Sequence, residues 1–276
     1  MRAAVLGSPV AHSLSPVLHR AAYAHLGLRW RYDAIECEAT QLAAFVASLS
    51  AEWAGLSLTM PLKTAVLPLA DSVDDAAAAA GAANTLVLRD GRRDAANTDV
   101  PGMVAALAEH GVGPGSAGTV ALLGAGATAR SAVVSLARAG WTAVDVAARR
   151  PEAAGDLVGT GDAVGAEVRV GRWPEAAELL AYDLVVSAVP AGAADALAGA
   201  VPTGPGVLFD VLYDPWPTPL AAAWSAAGGH VVGGLELLVQ QAAEQVRLLT
   251  GTDASAADLV AVMRPAGLAA LAARSG

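Results

Sequence analysis

The chain has 276 residues, 55% apolar and 16% charged, with a formal net charge of −9. That length suits one large domain or two of ordinary size, with enough apolar side chains to fill both cores. The acidic balance excludes the broad basic surface that nucleic-acid binding needs, and a single cysteine, Cys37, excludes an internal disulfide and a cysteine-based zinc site.

Short apolar runs alternate with helical patterns up to about residue 99. The opening run is too short for a secretory leader and breaks at once into Gly and Pro. Residues 2–7 predict a strand. A helix is expected over 16–26, with Pro16 in its first turn and Ser15 as N-cap. Residues 30–35 predict a strand, 41–49 a helix and 54–58 a strand, after which Pro61 opens another helix. A short helix over 74–81 closes on Gly81. Residues 85–89 and 93–96 predict strands joined by a hairpin turn at Asp90-Gly91. Strands alternating with helices point to an α/β sheet.

Residues 100–110 predict a helix, and the glycine-rich run over 111–118 then breaks all pattern, as a linker or surface loop does. The βα rhythm restarts at Thr119. Strands are expected at 120–123, 143–147, 167–170, 184–188, 207–209 and 230–232, with helices between them. Six strands with crossover helices is the count of a Rossmann-type dinucleotide-binding domain. Helices over 235–249, 255–263 and 268–273 have no strand left to accompany them. In the first, Leu235, Leu238, Val239, Ala242, Val246 and Leu249 recur with a period of about 3.6. The expected fold class is therefore α/β: an N-terminal α/β domain over 1–100, a Rossmann-type domain over 101–234, and C-terminal helices over 235–276 that return to complete the first domain. No apolar segment reaches the ~20 residues of a membrane helix without Gly or Pro inside it. A cytoplasmic location without a membrane partner is the expectation.

Chemistry concentrates in a few stretches. The apolar run 120–123 enters the turn Gly124-Ala125-Gly126-Ala127-Thr128 and leaves as a helix. Gly124 permits the sharp turn. Gly126 removes a Cβ, so backbone N–H groups can approach a pyrophosphate at the helix N-terminus. Ser13 and Ser15 lie two apart in a loop, and their hydroxyls suit a polyol or a carboxylate; the plainer role for Ser15 is capping alone. Lys63 falls in the first turn of a helix, where the dipole disfavours a cation and lowers a lysine pKa; an isolated lysine there is otherwise a solvated surface residue. Two Asn-Thr pairs, Asn84-Thr85 and Asn97-Thr98, stand at strand edges, and Asp99 follows the second. Asp99 reads plainly as an N-cap for the next helix.

The order Gly7…Ser13-Leu14-Ser15-Pro16, Leu58-Thr59-Met60-Pro61-Leu62-Lys63, Gly81-Ala82-Ala83-Asn84-Thr85, Asn97-Thr98-Asp99, Gly124-Ala125-Gly126-Ala127 and Gln240-Gln241-Ala242-Ala243 resembles the shikimate dehydrogenase family over nearly the whole chain. The resemblance implies reversible, NADPH-dependent reduction of 3-dehydroshikimate to shikimate, in a cleft between a substrate domain and a cofactor domain. It implies Lys63 and Asp99 as the catalytic pair, Ser13 and Ser15 on the substrate carboxylate, and Thr59, Asn84, Tyr213 and Gln241 as further substrate contacts. It places the cofactor on Gly124, Ala125, Gly126, Ala127 and Thr128, with Ala148, Arg149, Arg150, Val189, Val211 and Gly234. A small-molecule substrate and a monomer or homodimer follow.

NADP rather than NAD is expected because Ala147-Ala148-Arg149-Arg150 offers two arginines for a 2′-phosphate where NAD-binding units carry an acid; Asp145 comes too early. Two departures stand out. Ser57 replaces the family's usual asparagine, and Ser187-Ala188-Val189-Pro190 replaces the common Asn-Ala-Thr-Pro. The alternatives are an NAD-dependent quinate/shikimate dehydrogenase, a non-catalytic NADP-binding regulator on the same fold, and an enzyme like methylenetetrahydrofolate dehydrogenase. Ser15 speaks against the first, since quinate-preferring relatives often carry threonine there. The presence of both Lys63 and Asp99 speaks against the second, and the Ser13/Ser15 loop against the third.

Overall fold

Five of the six residues in the first strand, β1 (Arg2–Gly7), are buried, as befits a strand with neighbours on both sides. The computed structural model describes residues 1–113 and 118–275; the part of the predicted loop over 114–117 lies outside the described residues. The chain divides into two compact units, Met1–Gly102 with Leu238–Gly276, and Met103–Leu237.

In the first unit β1 leads to α1 (Ser15–His25), β2 (Arg31–Glu36), α2 (Ala39–Ala47), β3 (Trp53–Leu58), the short α3 (Leu62–Ala65), β4 (Ser72–Val73), α4 (Asp75–Ala80), β5 (Thr85–Arg89), β6 (Arg92–Ala96) and the start of α5 (Asp99–Glu109). The sheet runs β2-β1-β3-β5-β6-β4. β1 is parallel to β2 and β3, whereas β5 is antiparallel to β3 and β6. Asp90 and Gly91 both take positive φ, 52° and 75°, as the expected tight hairpin requires. β4 has no counterpart in the sequence reading, since both of its residues are exposed and carry no pattern.

The second unit contains β7 (Val120–Leu123), α6 (Ala127–Arg138), β8 (Ala143–Ala148), α7 (Gly155–Val164), β9 (Glu167–Arg172), α8 (Ala176–Leu179), β10 (Leu184–Ser187), β11 (Val207–Asp210), α9 (Pro219–Ala226) and β12 (His230–Gly233). Its sheet is parallel throughout in the order β12-β11-β10-β7-β8-β9, the doubly wound arrangement expected of a Rossmann-type unit. Val120 and Leu122 pack into one apolar cluster with α6, and Ala121 and Leu123 into another with Trp224 of α9. Side chains of period two thus fill both faces of the sheet.

The chain re-enters the first unit within α10 (Gly234–Thr250) and ends in α11 (Ala256–Ser275). Two helices were expected, over 255–263 and 268–273; one continuous helix is found, with Pro265 inside it. Pro265 lies on the exposed side, where its missing N–H costs least, while Leu259, Val260 and Met263 are buried and α11 packs along α1. By length and composition alone α11 is apolar enough to cross a membrane. A second correction concerns α1. Ser15 is its first helical residue, Leu14 takes the cap position with φ −83° and ψ −9°, and the Ser13 hydroxyl accepts the Ser15 N–H at 3.2 Å. The amides that Ser15 would have capped, those of Val17 and Leu18, both donate to the Leu14 carbonyl at 3.0 and 3.1 Å, and the Ser15 amide itself is met by Ser13.

The inward face of α1 carries a wholly buried histidine. The His19 ring stacks on Tyr32 with centroids 3.9 Å apart, and its Nδ1 lies 2.9 Å from the Ser15 carbonyl. A carbonyl only accepts, so Nδ1 carries the proton. Burial pushes the His19 pKa down to about 4 from 6.5. The unfolded chain therefore binds this proton more readily than the folded one. His19 costs nothing above pH 6.5, and stability falls as pH drops from 6.5 towards 4, by up to about 3 kcal/mol. In urea unfolding across pH 4–7.5, His19→Phe is expected to lose less stability than the native chain over that window; parallel curves would contradict this.

Candidate active site

The loop after β3 carries Lys63 into the second position of α3. A four-residue helix has little dipole to oppose a cation. The local field comes instead from Asp99, whose Oδ2 lies 2.6 Å from Lys63 Nζ, with side chains 14% and 7% exposed for Lys63 and Asp99. Asp99 was expected as the N-cap of this helix but is the first residue of α5, and its carboxylate is turned to Lys63 and Asn84. Asn84 Nδ2 donates to its Oδ1 at 2.8 Å, so one oxygen faces a cation and the other an amide. The Asp99 N–H in turn donates to Asn97 Oδ1 at 3.1 Å.

The two Asn-Thr pairs interlock across β5 and β6. Asn84 Oδ1 accepts the Thr98 N–H at 2.8 Å and the Thr85 hydroxyl at 2.9 Å, and Asn97 Nδ2 donates to the Ala82 carbonyl at 2.8 Å. The Lys63 carbonyl accepts from Ala83 at 2.7 Å, which ties α3 to the same strand edge. From α10, Gln241 Oε1 lies 3.2 Å from Asn84 Nδ2, while its own Nε2 donates to the Leu238 carbonyl. A Cβ at Gly102 would fall 2.8 Å from the Gln241 backbone nitrogen, so glycine there lets α5 and α10 touch. Sequence reasoning passed over Gly102 and gave Thr98 no separate role.

These bonds bring Lys63, Asn84, Asp99 and Gln241 together. Ser13 and Ser15 are placed at the start of α1, Ser15 buried and Ser13 partly so. Thr59 is held against the end of β1, where a Cβ on Gly7 would lie 2.3 Å from Thr59 Cγ2.

In the second unit Gly124 takes φ +110°, and a Cβ there would fall 2.6 Å from the Ala188 carbonyl and 3.1 Å from Val189. Gly126 is the N-cap of the twelve-residue α6, is exposed, and has open space where a Cβ would point. Ala125, Ala127 and Thr128 flank it, partly buried. The first turn of such a helix directs backbone N–H groups at an anion. Ala148 ends β8, and Arg149 and Arg150 follow it, both exposed. Asp145 is spoken for: Tyr182 donates to it at 2.7 Å and Arg169 lies 3.6 Å away. Val211 and Gly234 are back to back, since a Cβ at Gly234 would lie 2.1 Å from the Val211 carbonyl. The partly buried Tyr213 follows in a segment pinned by Asp210, whose carboxylate accepts the Leu212 N–H at 3.2 Å and the Thr218 hydroxyl at 2.8 Å. Burial raises the Asp210 pKa. An open helix N-terminus, two exposed arginines beyond β8 and an Asp145 already held by Tyr182 and Arg169 fit a dinucleotide bearing a 2′-phosphate.

Comparison with known proteins identifies the family. Residues 5–86 match the family described as shikimate dehydrogenase substrate binding domain. Shikimate dehydrogenase (NADP(+)) of Moorella thermoacetica is 36% identical over 273 residues, which cover 95% of this chain and 92% of that protein. The crystal structure of Mycobacterium tuberculosis shikimate dehydrogenase superposes with a TM-score of 0.84 at 44% identity, covering 99% of each chain. That of shikimate 5-dehydrogenase from Thermus thermophilus, in complex with NADP(H) and shikimate, gives 0.82 at 33% identity, covering 96% of this chain and 99% of that one. With identity this high over nearly all of both units, the chain belongs to the shikimate dehydrogenase family.

Proposed function

We propose that the chain is an NADP-dependent shikimate dehydrogenase, reversibly reducing 3-dehydroshikimate to shikimate in aromatic amino-acid biosynthesis in the cytoplasm. The observation that carries this reading is the Lys63–Asp99 pair at 2.6 Å, fixed by Asn84 within the unit that matches the substrate-binding domain.

When bound, NADPH supplies the hydride that reaches the substrate's carbonyl carbon. The carbonyl oxygen then gains negative charge, and the Lys63 ammonium stabilises it and hands over a proton. In the reverse direction Lys63 takes the hydroxyl proton. Asp99 holds the lysine in place and balances its charge. Asn84, Gln241, Thr59 and Tyr213 supply hydrogen bonds to the substrate's hydroxyls. Ser13 and Ser15 take the carboxylate; Ser13 accepts the Ser15 N–H, which leaves its own O–H to donate.

Gly124, Ala125, Gly126, Ala127 and Thr128 would hold the pyrophosphate at the α6 N-terminus, and Arg149 and Arg150 the 2′-phosphate beside Ala148. Val189, Val211 and Gly234 would line the remainder of the cofactor site.

Two measurements test this. In Lys63→Ala, kcat with shikimate and NADP is expected to fall by about 10²–10⁴-fold, while shikimate binding measured by calorimetry changes far less. A near-native kcat would remove Lys63 from proton transfer, and faster turnover of quinate with NAD by the native chain would overturn the choice of substrate. In the double variant Arg149→Ala/Arg150→Ala, the KM for NADP should rise about tenfold or more with the KM for NAD little changed. Equal effects on both cofactors would show that the arginines do not read the 2′-phosphate.

A further inference from the structure

Behind Asn84 a second amide is buried where the helical stripe of α10 reads as apolar. Gln245 is 2% exposed and lies in line with Leu238, Ala242 and Leu249. Its Nε2 donates to the Asn84 carbonyl at 3.0 Å and to the Thr85 hydroxyl at 3.0 Å. Its Oε1 accepts the Ser57 hydroxyl at 2.8 Å, and Ser57 accepts the Tyr32 hydroxyl at 2.6 Å. Tyr32, Ser57 and Thr85 are themselves 0%, 3% and 0% exposed.

The donor directions in this net are forced. The Asn84 carbonyl only accepts, so the Gln245 nitrogen must face it and the Gln245 oxygen must face Ser57. Ser57 then spends its proton on Gln245 and must accept from Tyr32. Thr85, accepting from Gln245, spends its proton on Asn84 Oδ1. The Thr98 N–H, a donor only, meets the same oxygen. Asn84 is left with its Nδ2 towards Asp99 Oδ1. A single run of donors thus passes from Tyr32 through Ser57, Gln245, Thr85 and Asn84 to the carboxylate that pairs with Lys63.

We propose that Gln245 is a positioning residue: by holding the main chain of Asn84 and the hydroxyl of Thr85, it fixes the Asn84 amide and, through it, the orientation of Asp99 against Lys63. Ser57 is its anchor on β3 and has no direct part in the chemistry. This rests on the reaction proposed above.

The test uses the full chain. Gln245→Met keeps the volume and removes both hydrogen-bonding ends; Ser57→Ala deletes one oxygen; Glu244→Ala, on a partly exposed face of the same helix where it pairs with Arg247, is the control. The titratable groups in the net are Lys63, Asp99 and Tyr32. In Gln245→Met, kcat for shikimate should fall about tenfold, more than its KM changes. The limb of the pH–kcat profile that reports the Lys63–Asp99 pair should move by about half a unit or more. Ser57→Ala should move both readouts the same way by less, and Glu244→Ala neither. If Gln245→Met does not fold, Ser57→Ala decides alone. A lowered melting temperature with kcat and pH profile unmoved would overturn the assignment and leave Gln245 a core residue. A native chain that does not turn over shikimate would overturn the reaction itself and this assignment with it.

Discussion

An ammonium and a carboxylate drawn largely out of water each lose several kcal/mol of hydration, and only close geometry with further hydrogen bonds repays the loss. The first unit is organised to meet that condition at Lys63 and Asp99. The carboxylate spends one oxygen on the lysine and the other on the Asn84 amide. The Asp99 N–H is capped by Asn97, and the Lys63 carbonyl is held by Ala83. Removing either charge leaves the other buried without its counter-charge, so the two stand or fall together in folding.

The rest of the unit can be understood as support for Asn84. It sits at the edge of β5, where the antiparallel pairings with β3 and β6 bring the two Asn-Thr pairs side by side. Its Oδ1 meets the Thr98 N–H, which only donates, and its Nδ2 meets the Asp99 carboxylate, which only accepts, so the amide cannot turn over without breaking both bonds. The glycine at position 102, by admitting the backbone of α10, lets Gln241 and Gln245 reach the same edge from the C-terminal end of the chain. In the second unit the corresponding constraint is steric: the strand-to-helix turn at Gly124 has no room for a Cβ, and the helix that follows opens onto solvent at Gly126.

Much of this was legible in the sequence wherever a local signal was strong enough to stand alone. The strands 2–7, 85–89 and 120–123 begin and end where glycine, aspartate or a polar residue cuts an apolar run. The alternation of strands and helices carried the α/β class and the six parallel strands. Local signals failed where packing overruled them. The gap expected between helices over 264–267 is closed because α11 packs continuously along α1, and the cap of α1 falls on Leu14, whose carbonyl takes the Val17 and Leu18 amides. β4, two exposed residues long, carries no pattern to read. The site was legible as a set of residue types but not as contacts: Lys63 and Asp99 are 36 positions apart, and only the family resemblance joined them. Gln245 left a readable trace, a polar amide in the apolar stripe of α10, but the trace has no meaning until its partners Asn84, Thr85 and Ser57 are seen around it.

The central claim is that Lys63 and Asp99 act as one device. A double-mutant cycle on kcat/KM for shikimate, with Lys63→Ala, Asp99→Ala and the double variant, tests it most directly. Strong non-additivity is predicted, with the double variant little worse than the poorer single one, because removing either partner already disables the pair. Losses that multiply would mean that the two side chains work independently, and would contradict the claim.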